Sequence, residues 1–108
     1  MDTANVEQIT ALRTAKAAAG LQVAEALAAA EHDSETCFEL GVAYSTGTSG
    51  ADCDPIAAHM WFNLAAVWGH EEAADCRAEL AGDMNAREIA EAQRRARRWL
   101  AASTRRAA

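Results

Sequence analysis

Alanine makes up 29 of the 108 residues, and this constrains the chain more than any other feature. Alanine is the strongest helix former. It lets helix backbones approach closely, but it cannot fill a thick interior. Leu, Ile, Val and Phe together number only 16. The β-branched and aromatic residues that build strands are therefore scarce. A β-sandwich is excluded and a doubly wound dinucleotide-binding domain is not expected. What remains is a thin core of closely packed helices, in a chain of a length that suits one small domain.

The helices can be placed from periodicity and caps. Residues 3–31 hold no proline and one glycine. Val6, Ile9, Leu12, Ala19, Val23 and Leu27 recur at three- and four-residue steps, apart from the gap between Leu12 and Ala19. This predicts one long helix, capped by Thr3, with Gly20 as the place for a bend. His32-Asp33-Ser34 ends it, and Asp33 or Ser34 caps a helix to Thr46 whose apolar side holds Cys37, Leu40, Gly41 and Tyr44. Residues 47–53 read as a loop. Asp54-Pro55 then opens a helix cleanly, with Asp as N-cap and Pro at its first position. Its packing side is Ala58, Trp61, Ala65 and Trp68, and Gly69 stops it. Further helices are expected from Glu71 to Ala81 and from Asn85 to Ala102. In the latter, Asn85 and Glu88 have capping-box spacing, and Ile89, Ala92, Ala96, Trp99 and Leu100 form the apolar stripe. Residues 103–108 are expected to fray.

Charge is unevenly placed along the chain. Residues 1–83 carry three basic residues (Arg13, Lys16, Arg77) against fourteen acidic ones, a net of −11. Residues 84–108 carry seven arginines against Glu88 and Glu91, a net of +5. The acidic whole argues against nucleic-acid binding, while an acidic body with a basic tail can pair with itself or with another copy. Cys37, Cys53 and Cys76 are an odd number with no CxxC, so neither a disulfide framework nor a zinc site is expected. Cys37 and Cys76 read as small buried hydrophobes, and Cys53 as an exposed thiol. No run of 18 apolar residues and no signal-peptide plan is present, so a soluble cytoplasmic protein is expected.

Residues 36–74 carry a more specific pattern. Leu40, Gly41, Tyr44, Gly47, Gly50, Asp54, Ala58, Trp61, Ala65, Ala66, Gly69 and Ala73 follow in order. From Asp54 onward, Ala falls at +4, Trp at +7, an Ala pair at +11 and +12, Gly at +15 and Ala at +19. The pattern resembles the Sel-one-like repeat, a relative of the tetratricopeptide (TPR) repeat. The resemblance covers residues 28–102 and includes one full repeat, residues 34–69. Residues 21–31 resemble the second helix of a preceding repeat whose first half is missing, and residues 70–102 resemble a C-terminal capping pair. The chain departs from the family in three places. Its glycine loop is one residue longer, Ala51 stands where Val is usual, and Arg77-Ala78 falls where Leu-Gly would recur.

The resemblance implies an all-α, short α/α solenoid of TPR-like helix hairpins that acts as a protein-binding scaffold with no catalytic residues, no cofactor and no metal. The first helix of each hairpin would line the binding surface, presenting Glu35, Glu39, Val42, Ser45 and Thr46, then Glu72, Asp75 and Glu79. That surface is acidic, so a basic peptide or the arginine-rich tail of another copy suits it. Solenoids normally need about three repeats to be stable. A helix over 3–31 would be about 43 Å long, too long for the shorter helices to cover. Val6, Ile9 and Leu12 would then meet a second copy, as a homodimer, or another partner. Two other classes stand beside this reading. The amphipathic arginine-rich C-terminal helix could bind a membrane surface or nucleic acid without insertion. An enzyme is the other class: His32, His59 and His70 are the only histidines, and no Ser/His/Asp or Cys/His arrangement and no phosphate loop is legible.

Overall fold

The computed structural model describes residues 20–107, with side chains described through Ser103. Among these residues there are five helices and no strand. They are α1 (20–31), α2 (Ser34–Thr46), α3 (Pro55–Val67), α4 (Glu71–Ala81) and α5 (Ala86–Ala107). The expected cap at Thr3 and the residues Val6, Ile9 and Leu12 lie outside the described residues.

Local chemistry sets the boundaries. Asp33 caps α2, accepting from the Thr36 backbone N–H at 3.2 Å and the Thr36 hydroxyl at 2.7 Å. Before it, His32 takes a left-handed φ of 53°, and the Asp33 N–H closes back on the Ala28 carbonyl at 3.0 Å. That is the helix-ending geometry usually given to glycine. Gly47 (φ 72°) and Gly69 (φ 106°) do the same for α2 and α3. Asp54 caps α3 through two bonds, from Ile56 N–H at 3.1 Å and Ala57 N–H at 3.2 Å. Its own N–H donates to the Tyr44 carbonyl at 2.8 Å and so ties down the end of the 47–53 loop. In that loop Ser49 and Gly50 both have positive φ, and Ala51 is buried. Asn85 and Glu88 exchange reciprocal bonds of 2.9 Å at the start of α5.

α3 is the centre of the molecule: α2, α4 and α5 all pack against it. It is apolar on nearly every side, which is the pattern of a buried helix. Ala57 to Phe62, Leu64 and Ala65 are all buried. Trp61, Leu64 and Cys37 are the largest fully buried side chains, and Trp61 meets Trp99 of α5 at 5.7 Å in a tilted pair. Small residues sit where helices cross. Ala28, Ala58, Ala65, Ala73, Ala92 and Ala96 are all 1% exposed or less. At Gly41 a Cβ would lie 2.5 Å from the Phe62 ring, so α2 approaches α3 more closely than any side chain there would allow.

Three sequence expectations are corrected. Val23 and Leu27, read as part of the packing stripe, are 58% and 54% exposed. α1 instead packs through Leu21, Ala24 and Ala28, a different side of the helix. α1 is alanine-rich all round, so its small-residue side can serve for close approach and the larger side chains are left outside. The tail expected to fray from residue 103 is helical to Ala107. Alanine and arginine both favour helix, and Ser103 is held by a hydrogen bond to His32. Cys76, expected in the core, is only half-buried.

Candidate interaction surface

α2 and α4 lie on the same side of α3 and flank a groove of about 280 Å³. Val42, Phe62, Leu80 and Cys76 give it an apolar and sulfur-lined floor, and Ser45, Glu79 and Asp83 supply its polar edge. An aromatic series links the two helices: the Phe38 ring sits 5.6 Å from Phe62 and stacks on His70 at 4.0 Å. His70 Nε2 in turn pairs with Glu35 at 3.2 Å.

The groove lies in a negative field. Glu71, Glu72, Asp75 and Glu79 are exposed along α4. Arg77, the one basic residue of that helix, is drawn inward and donates to Asn63 Oδ1 at 2.6 Å. Cys76 registers the field: burial raises its thiol pKa, and Glu79, Glu72 and Asp75 raise it further. Burial holds Cys37 up at about 12. Cys53 is exposed, as its loop position suggests, and all three cysteines are free.

The residues read from sequence as one binding surface do not all share this groove. Val42, Ser45 and Glu79 line it, and Val42 is 38% exposed. Glu39 lines a separate groove between α2 and α1, with Leu21, Ala24 and Ala43. Glu35 is occupied by His70, and Thr46 donates back to the Val42 carbonyl at 2.8 Å. Glu72 and Asp75 stand exposed on α4 outside the lining. Phe62, Leu80, Cys76 and Asp83 were not anticipated. The adjacent Trp61-Phe62 pair was the one signal that two aromatic side chains would leave α3 in different directions.

The other resembling positions fall at contacts and turns. Leu40, Gly41, Ala58, Trp61, Ala65 and Ala73 are buried, while Tyr44 and Ala66 are half-buried against the core. The Tyr44 hydroxyl donates to Glu25 on α1 at 2.6 Å, and burial, followed by that bond, raises its pKa.

A second charged surface lies on α5. Arg87, Arg94, Arg97 and Arg98 are exposed. Arg94 and Arg95 both pair with Glu91 of the same helix. The three histidines are engaged separately. His32 stacks on Trp68 at 4.6 Å, His70 stacks on Phe38, and His59 is buried with an unpartnered Nδ1. Among the described residues no group of three His, Cys, Asp or Glu is placed to hold a metal ion, and no helix is long and apolar enough to cross a membrane. No family model, curated protein or solved structure matches the chain.

Proposed function

We propose that this chain is a non-catalytic protein-binding module of the Sel-one-like, TPR-like kind, with α2–α3 as its complete repeat and α4–α5 as its cap. It binds a basic, partly apolar peptide segment in the α2/α4 groove. The observation that carries this reading is the groove itself. An apolar floor at Val42, Phe62 and Leu80 is bounded by Glu79 and Asp83, on the side of α3 where the first helices of both pairs lie. Apolar anchors with a charged rim are the ordinary anatomy of an interface. The rim charges act mainly on association rate and salt dependence.

The test is a titration with short synthetic peptides that pair leucine with arginine, serine or glutamate. The arginine peptides should bind most tightly, and salt should weaken them. Glu79→Lys should weaken that binding about tenfold. Glu39→Lys makes the same change in net charge outside the groove and should have a smaller effect. Equal binding of the glutamate peptides, or equal effects of the two substitutions, would overturn the proposal.

A further inference from the structure

We infer that the groove's occupant is the arginine face of α5 from a second copy of this chain, so that copies associate head to tail. The inference rests on the reading of the α2/α4 groove as a binding surface and names its partner. Charge complementarity carries it. The groove edge and the exposed side of α4 are acidic, with no exposed basic residue on that helix to offset them, because Arg77 is turned onto Asn63. α5 exposes Arg87, Arg94, Arg97 and Arg98 along one side.

The spacings also agree. Asp75 and Glu79 are one helical turn apart, as are Arg94 and Arg98, so each pair spans about 6 Å along its axis. Within one copy this complementarity is unused. Among the described residues no ion pair joins an α4 carboxylate to an α5 guanidinium, and the α5 pairs that form are internal to that helix. Donor and acceptor surfaces are different patches, so the contact is heterologous. Each copy can then give its α5 to one neighbour and receive α5 from another.

The experiment is sedimentation of the full chain across a range of concentration and salt. At about 0.05 M salt the mass should rise with concentration above the 11.5 kDa monomer, and at about 0.5 M it should return toward it. Asp75→Lys with Glu79→Lys, and separately Arg94→Glu with Arg98→Glu, should each weaken association about tenfold or more. Mixing the two variants should restore association, because the intact arginine face of one meets the intact acidic face of the other. Should either reversal unfold the chain by circular dichroism, the Gln and Asn replacements of the same residues take its place. Ile9→Glu with Leu12→Glu should leave this association intact.

A monomer at every concentration in low salt would overturn the inference, as would variants that associate like the parent or a mixture that does not recover. An arginine face that binds anionic vesicles or an oligonucleotide while the chain stays monomeric would also overturn it. The proposed function fails separately, on the arginine peptides: their binding to the Arg94→Glu, Arg98→Glu variant tests the groove without any contribution from α5.

Discussion

His59 shows how far a single residue can depart from its surroundings. It sits on the most buried helix at 3% exposure, and its Nδ1 has no partner. Burial lowers its pKa from 6.5, and the nearby Arg77 charge lowers it further. At His59 the folded chain therefore binds fewer protons than the unfolded one once pH drops below about 6.5, so this group's contribution to stability falls with pH there. The loss levels off below the folded value. Denaturant midpoints measured between about pH 7 and about pH 5 should decline, and His59→Gln should flatten that decline. An unchanged slope in the variant would assign the effect elsewhere. Asp33 acts in a separate window. Its bonds to Thr36 lower its pKa from 3.8, so its contribution is present above that value and is lost as pH falls further. The sequence placed His59 on the helix of Trp61 but could not show which side it faced, because α3 has almost no polar side to contrast with.

At the scale of elements, caps were the most legible feature. Asp54-Pro55, Asn85 with Glu88, and Asp33 each satisfy helix N-termini through residues two or three positions away. Such contacts depend on local sequence alone. Asp54→Ala should therefore lower unfolding stability by about 1 kcal/mol, and Asp54→Asn should keep most of it, both read from urea midpoints. A loss as large with Asn as with Ala would show that charge rather than hydrogen bonding mattered. The buried side of α1 was not legible. Leu21, Ala24 and Ala28 pack inward while Val23 and Leu27 stay exposed. With alanine on every side, periodicity gives no contrast between a close-approach face and an outer one.

At the scale of the molecule, α3 packs against α2, α4 and α5, and Trp61 is its largest buried side chain. Trp61→Ala should cost about 3–5 kcal/mol, a large share of the roughly 5–15 kcal/mol that holds a small domain together. Tryptophan fluorescence and far-ultraviolet circular dichroism should report one coincident unfolding transition in the parent chain. A separate, earlier transition for α5 would contradict a molecule organised around α3. The same central helix explains the groove. α2 and α4 flank it because both are held by α3, with Phe62 filling the space between them.

The sequence by itself determined the helical class, the capped starts of α2, α3 and α5, and the small-residue contacts of α2 and α3. Each of these follows from propensity, from caps a few residues apart, or from an alanine or glycine where a larger side chain would not fit. Tertiary structure alone decided which side of α1 is buried, why Glu39 and Glu79 line different grooves, and how Phe62, Leu80 and Asp83 join Val42 in one. Those outcomes depend on the distance and direction at which one helix crosses another. These are set jointly by side-chain volumes on separate elements, such as Gly41 against Phe62, and no single stretch of sequence contains both.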